Sequence, residues 1–195
     1  YREDLNLRGG ARLYNLSLSY EPDADDRKLM DRFDLTMVNL GGDPFETVSA
    51  NIQKYGRYQI KYDRRKSAYY YKDLALGDGG TPYDLHLLDF DRVSDSGSAR
   101  VWLTDNADLY FSFDRFTRRG AGAATQEVGR EIFTFDRPIR EESRQLALGL
   151  NLHARRYSLT VEGRHSNFEN DNTYFLPGTV DGGAGAVYPT TLFAY

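Results

Sequence analysis

Cysteine is absent from this 195-residue chain. Its absence excludes disulfide-stapled folds, Cys-ligated zinc, iron–sulfur clusters and thiol nucleophiles. Methionine occurs only twice and proline six times. Long apolar runs are also missing, since no stretch approaches the roughly 18 consecutive apolar residues that a membrane-spanning helix needs. The chain is therefore neither a disulfide scaffold nor a helical membrane protein.

An excess of positive charge is missing as well. The chain has 25 Lys and Arg against 29 Asp and Glu, a formal net charge of −4. Binding to nucleic acid through bulk charge needs a clustered basic surface, so nucleic acid is not a predicted partner. The three histidines, His86, His153 and His165, do not stand at metal-ligand spacing, and neither a P-loop nor a Gly-x-Ser-x-Gly motif is present. No metal, cofactor or enzymatic activity is predicted.

Aromatic residues and alternating patterns are abundant. The 15 Tyr and 11 Phe favour strands over helices. In residues 13–20, for example, Leu16 and Leu18 alternate with Ser17 and Ser19. Alternation of this kind indicates half-buried strands. Eight such strands are predicted, over 13–20, 32–37, 47–53, 57–63, 99–103, 109–114, 145–152 and 157–164.

The connections between these strands differ in length. Those after the first, third, fifth and seventh strands are short turns. Long loops are predicted at 72–97, at 119–143 and after residue 167, and only the connection at 41–44 is brief on that side. The strand-like segment 131–136 is placed in a long loop or in a hairpin extension. Short turns on one side and long loops on the other are the layout of an outer-membrane barrel.

One-sided alternation is compatible with two architectures. A soluble sandwich buries the apolar face against a second sheet, whereas a membrane barrel turns that face to lipid and closes its edges. Tyr20, Tyr58 and Tyr157 lie near strand ends, where a ring can sit in lipid with its hydroxyl in water. We therefore predict an all-β, antiparallel, up-and-down transmembrane β-barrel of at least eight strands, or a fragment of one. Residues 1–195 would form a single barrel domain or the N-terminal part of a larger barrel.

The alternation also assigns the two faces of the predicted barrel. The residues predicted to line its lumen are Asp34, Lys61, Asp63, Arg100, Asp114, Glu162 and Arg164. The residues predicted to face lipid are Leu16, Leu18, Leu35, Ile60, Phe111, Phe113, Leu148, Leu150 and Leu159. Charged side chains of both signs suit a wet interior, and aliphatic and aromatic side chains suit a lipid-facing wall.

Three segments resemble large bacterial outer-membrane barrels: Leu40-Gly41-Gly42-Asp43-Pro44-Phe45, residues 54–65, and the hairpin 103–109 with the Phe113-Asp114-Arg115 that follows it. The family they resemble is the MtrB/PioB family of porin–cytochrome complexes, and the resemblance covers residues 10–167. It implies that the chain belongs to a longer barrel forming a sheath around a multihaem cytochrome, without binding haem itself. Some members carry Cys-x-x-Cys near the start, which this chain lacks.

A hydrolytic site has one candidate. Asp84 and His86, followed by Asp89 and Asp91, resemble the acid–base groups of omptin-type outer-membrane proteases. All four residues come from one short stretch, whereas such a site draws them from opposite walls. A hydrated loop is the simpler interpretation.

Ionic sites have two further candidates. Calcium could bind Asp23, Asp25 and Asp26, or Asn167, Glu169 and Asp171, although neither group has EF-hand spacing and a solvated acidic turn is favoured. The basic run Lys61, Arg64, Arg65 and Lys66 could contact lipopolysaccharide phosphates or an acidic partner. The simpler interpretation is strand-end charge that reaches the headgroup region.

These observations predict a passive pore, or a sheath for a partner protein such as a multihaem cytochrome, in the bacterial outer membrane. The predicted partners are the lipid bilayer, lipopolysaccharide and a periplasmic multihaem cytochrome. The alternative is a soluble or surface-exposed β-sandwich that binds glycans through exposed aromatics. Because the sequence begins at Tyr1 without a signal peptide, we interpret it as a processed mature chain or a piece of a longer one.

Overall fold

The computed structural model describes residues 11–23, 28–41, 45–76, 82–128, 131–171, 173–175 and 191–194. Within these ranges, only the backbone is described for 72–76, 82–86, 124–128, 131–136, 173–175 and 191–194. These residues form one antiparallel sheet in which each of the first seven strands pairs with the next along the chain. The predicted all-β, up-and-down class with at least eight strands is confirmed.

The strands differ greatly in length. They are β1 (Leu13–Tyr20), β2 (Arg32–Leu40), β3 (Phe45–Lys54), β4 (Tyr58–Leu76), β5 (Pro82–Thr104), β6 (Ala107–Val128), β7 (Glu131–His153), β8 (Ser158–Asn170), β9 (Thr173–Phe175) and β10 (Thr191–Ala194). Strands β4 to β7 have 19 to 23 residues, whereas β1 to β3 have 8 to 10. The sheet is therefore much taller in its middle than at its β1 edge.

The predicted long loops at 72–97 and 119–143 are wrong. The described residues of these segments, 72–76, 82–97, 119–128 and 131–143, continue the strands, so that β4 pairs with β5 and β6 pairs with β7 as two long hairpins. Segment 131–136 is a hairpin extension, as one of the two predicted placements had it. Strand pairing persists there because the backbone ladder and cross-strand ion pairs support it, although neither face is uniformly apolar.

The opposite end of the sheet is closed by tight connections. The turn between β3 and β4 places Gly56 at a φ of 67°, a conformation that costs glycine little. Asp31 binds this turn, because its carboxylate accepts hydrogen bonds from Lys54 Nζ at 2.8 Å and from the Tyr55 backbone N–H at 2.7 Å. The Tyr58 hydroxyl also donates to the Leu29 carbonyl. The segment between β1 and β2 is thus attached to the β3–β4 turn.

Strands β8 and β9 pair with β7 in one register. His153 lies opposite Ser158, Glu141 opposite Asn170 and Asp136 opposite Phe175. The two residue numbers of each pair add up to 311, so the register does not shift. The two strands are therefore one strand with a short interruption, and β10 pairs with β9. Among the described residues β1 and β8 do not pair with each other, and the sheet is not closed.

A conventional core is small in this single layer. In the described part of the chain, the buried apolar residues are Phe90, Ile139 and Ala147. Many large apolar side chains are exposed instead, among them Leu148 and Leu159. No helix long and apolar enough to cross a membrane occurs among the described residues.

Candidate functional site

The register brings apolar residues of β1 to β8 together on one face of the sheet. Directly paired residues share a face, and Leu18 pairs with Leu35, while Phe111 pairs with Leu148. We call this surface the apolar band. Its larger members are Leu16, Leu18, Phe33, Leu35, Ile52, Ile60, Val101, Leu109, Phe111, Phe113, Leu146, Leu148, Leu150, Leu159 and Val161. All nine residues predicted to face lipid belong to it.

The apolar band is not covered by a second layer in the described structure. Leu148 is 55% exposed and Leu159 is 54% exposed. Soluble monomers rarely expose contiguous apolar surface on this scale. The apolar band therefore needs a covering that lies outside the described residues.

The seven residues predicted to line a lumen share the opposite face, which we call the polar face. Asp34 accepts hydrogen bonds there from Ser19 Oγ at 2.8 Å and Arg32 Nε at 2.7 Å. Small side chains separate the charged groups; they are Ser96, Ser98, Ser112, Ala147 and Gly149.

An aromatic side chain connects three strands across this polar face. Tyr110 of β6 lies over Gly149 of β7, where a Cβ atom would overlap its ring. Its hydroxyl donates to Glu162 Oε2 of β8 at 2.6 Å, and Arg164 Nη2 binds Glu162 Oε1 at 2.8 Å. Gly149 therefore makes room for a link between β6 and β8.

A group of charged residues ends the apolar band on the side of the long hairpins. Arg64, Asp95, Arg115 and Arg144 lie in one row across four strands, on the same face as the band. We call this row and the adjoining charges of the same face the charged girdle. Its members are Arg64, Lys66, Asp91, Asp95, Arg115, Arg119, Glu142 and Arg144.

Ion pairs connect the members of the charged girdle. Asp95 is buried and binds Arg64 Nη1 at 3.2 Å and the Tyr62 hydroxyl at 2.7 Å. Glu142 accepts from Arg115 Nε at 2.8 Å, Arg144 Nε at 2.6 Å and Arg119 Nη2 at 3.2 Å. The hydrogen bonds from Arg115 and Arg144 lower the pKa of Glu142 to about 2. Glu142 is therefore ionised over the whole physiological pH range.

Beyond the girdle, the polarity of the two faces is reversed. The face that is polar beside the band carries Tyr69, Phe90 and Ile139 in the hairpins, and Phe90 and Ile139 are 3% and 1% exposed. The Tyr69 and Phe90 rings stack at 4.9 Å, and the Arg118 guanidinium lies 4.6 Å from the Phe90 ring centroid. Gly120 fits between Phe90 and Ile139 because it has no side chain. The hairpins thus have a small core of their own.

The predicted basic run does not form one patch. Arg64 and Lys66 belong to the charged girdle, whereas Lys61 and Arg65 lie on the opposite face. Lys66 pairs with Asp91 at 3.1 Å. Because successive side chains of a strand point to opposite faces of the sheet, these basic residues are divided between the two faces.

The other predicted sites remain predictions. The backbone of Asp84 and His86 lies in β5, but their side chains are outside the described residues, as are Asp25 and Asp26. Asn167 Nδ2 donates to Glu169 Oε1 at 3.0 Å. Among the described residues, no group of three His, Asp or Glu could hold a metal ion.

Sequence reasoning missed the arginines around Glu142. Arg115 follows Phe113 by two positions, and Arg144 precedes Leu146 by two. In both strands a charge therefore replaces the next apolar residue of an alternating series. That replacement is the signal that would have located the girdle.

Relationships to known proteins do not add to these observations. Comparison with protein-family models, curated proteins and solved structures found no match to this chain.

Proposed function

We propose that this sheet is part of the wall of a bacterial outer-membrane β-barrel, acting as a passive pore or as a sheath for a partner protein. The observation that carries the proposal is the reversal of polarity at the charged girdle. A sheet packed in a soluble sandwich needs an apolar face along its length. A barrel wall in lipid needs an apolar face only across the hydrocarbon layer, and it needs charged residues beyond that layer.

The height of the apolar band supports this proposal. In β7 the band runs from Leu146 to Leu152, which spans roughly 20 Å along the strand at about 3.3 Å per residue. The apolar band of an outer-membrane barrel is about 25 Å tall. With strands tilted by about 35–45°, the stretch in β7 covers roughly 15 Å, more than half of that height.

The two ends of the sheet differ as they do in outer-membrane barrels. Such barrels have short periplasmic turns and longer extracellular connections. In this chain β5 joins β6 through Asp105 and Asn106, whereas β4 to β7 extend well beyond the girdle at the other end. The girdle and the hairpins are accordingly assigned to the outer surface.

The polar face is suited to a wide lumen. An eight-stranded barrel has an interior that side chains fill, but Ser96, Ser98 and Ser112 leave the centre of this face shallow. The open edges at β1 and β8 would leave backbone groups unpaired in lipid, which is costly. We infer a wider barrel in which further strands pair with these edges.

A wide, polar lumen is compatible with both proposed roles. The resemblance to the MtrB/PioB family favours a sheath around a periplasmic multihaem cytochrome. An empty pore would conduct ions in a planar bilayer, whereas a sheath would conduct poorly once its partner filled it.

The first test is the location and heat behaviour of the native protein. We expect it to fractionate with the outer membrane and to change its gel mobility after heating in detergent. Recovery in the aqueous phase with no mobility change would contradict the proposal. It would favour the alternative of a soluble, glycan-binding β-sandwich.

A further inference from the structure

The arginines of the charged girdle are not evenly matched by acids. Arg64 and Lys66 have their own carboxylates, Asp95 at 3.2 Å and Asp91 at 3.1 Å. Arg115, Arg119 and Arg144, by contrast, all bind Glu142. Asp95 and Asp91 lie opposite Arg115 and Arg119 in β5, but each already pairs with a cation of β4, so the three arginines have a local positive excess around Glu142.

The register makes this excess more unusual. Arg115 lies directly opposite Arg144, and Arg119 directly opposite Arg140, on the same face. Like charges directly opposite each other destabilise a sheet. The sheet contains two such pairs within five positions of β6; Asp171 lies 3.8 Å from Arg140, whereas Arg115, Arg119 and Arg144 share Glu142. A second anion would compensate the remainder.

The hydrogen-bonding atoms leave room for that anion. Arg115 and Arg144 both use Nε to bind Glu142, which leaves the Nη atoms of both groups unused by that carboxylate. The Arg115, Arg144 and Arg119 side chains are 42%, 56% and 67% exposed, whereas Glu142 is 12% exposed. Glu142 thus lies beneath three accessible guanidinium groups, whose planar donors match phosphate oxygens.

The surroundings of the cluster set its orientation. Phe113 and Leu146 of the apolar band lie one row below Arg115 and Arg144. The acids Glu169 and Asp171 lie toward the β8 side, where Glu169 is opposite Glu142 and Asp171 is 3.8 Å from Arg140. The positive excess is therefore concentrated over β6, beside the apolar surface.

We propose that Arg115, Arg119 and Arg144 bind a phosphate monoester of a membrane-lipid headgroup, of the kind that lipopolysaccharide carries on its lipid A. The inference rests on the proposed function, because the apolar band must be in lipid for the headgroup to lie at the girdle. The position of these arginines beside the apolar band favours a lipid over free phosphate, because the acyl chains of the lipid would cover the band.

The test is native mass spectrometry of the full chain in detergent micelles with three probes. These are lipid A, dephosphorylated lipid A and inorganic phosphate. We expect adducts with lipid A only, and about tenfold weaker binding in the variant R115Q/R144Q, as expected for the loss of charge-assisted hydrogen bonds. The control R65Q, a girdle-level arginine on the opposite face, should bind as the wild type does.

A second variant separates binding from folding. E142Q removes the anion that competes for the arginines, so lipid A binding should become several-fold tighter at low ionic strength. A purely structural role for Glu142 predicts weaker binding instead. Weaker binding by E142Q, unchanged binding by R115Q/R144Q, or equal binding of dephosphorylated lipid A would each overturn the proposal. Binding of inorganic phosphate at the same affinity would show an anion site without lipid selectivity and would overturn it too.

The two proposals fail differently. If the protein does not enter neutral phosphatidylcholine vesicles, the proposed function fails. If it enters them but shows no preference for lipid A, only the phosphate site fails.

Discussion

Leu148 is the residue at which the environment of the apolar band is most easily measured. Its side chain is 55% exposed in the sheet, so replacement by arginine in water would change the free energy of unfolding by about 0.5 kcal/mol or less. In a bilayer we expect Leu148→Arg to cost about 2–4 kcal/mol. The measurement is denaturant unfolding of the protein in lipid vesicles.

Gln145→Arg is the matched control for this substitution. Gln145 lies on the same strand but on the polar face, opposite Asp114. We expect it to change the free energy of unfolding by less than about 0.5 kcal/mol. Similar small effects of both variants would mean that the apolar band meets water.

Glu142 makes the stability of the girdle depend on pH. Arg115 and Arg144 hold its pKa at about 2 in the folded chain, below the ordinary value of 4.5. A lowered pKa stabilises the folded state above the unfolded-state value, and that contribution is lost as the pH falls through the folded-state value. The stability difference between wild type and E142Q should therefore be constant above about pH 5 and shrink toward pH 2. Denaturation midpoints across this range would measure it, and a difference independent of pH would refute it.

At the level of strands, the contact between Tyr110 and Gly149 joins β6, β7 and β8. Gly149→Ala places a methyl group inside the Tyr110 ring, so the ring must move away from Glu162. We expect a loss of about 1–3 kcal/mol, the usual cost of overpacking. Gly163→Ala in β8 is the control, because no atom lies within 4 Å of its added Cβ. Equal unfolding free energies for the two variants would show that the ring moves without cost.

The parts of the strands between the tight turns and the charged girdle could be predicted from sequence, but the hairpin extensions beyond the girdle could not. Along β6 an apolar series ends at Phe113 and arginines follow at Arg115 and Arg119. The core residue Phe90 belongs to the other face and is flanked by Asp89 and Asp91, so no single face of β5 is apolar throughout. Apolar–polar alternation reveals a strand only where each face of that strand keeps a single environment along its length. The Glu142 cluster was missed for a related reason, since register alone brings residues of β6 and β7 together.

At the level of the whole molecule, the lack of native cysteine allows each face to be probed separately. We expect single cysteines at Ser98 and Ser112, on the polar face, to react with a membrane-impermeant maleimide in the vesicle-inserted protein. Cysteines at Leu148 and Leu159, in the apolar band, should react only after unfolding in denaturant. Mass spectrometry gives the extent of labelling. Equal reactivity of all four positions in vesicles would be incompatible with a wall that separates water from lipid.

In the proposed barrel, the unequal lengths of the strands would give the wall a sloping rim. The described turns β3–β4, β5–β6 and β7–β8 lie at one end of the sheet, so the extra residues of β4 to β7 extend the sheet at the opposite end. Strand β7 has 23 residues and β3 has 10. The difference of 13 residues corresponds to roughly 40 Å of additional strand. A large particle approaching from outside would meet the β4–β7 side first. If the sheet is part of the proposed barrel, access to its opening would be directional, over the low side at β1 to β3, and antibodies or other bulky ligands would be held away from the membrane on the tall side.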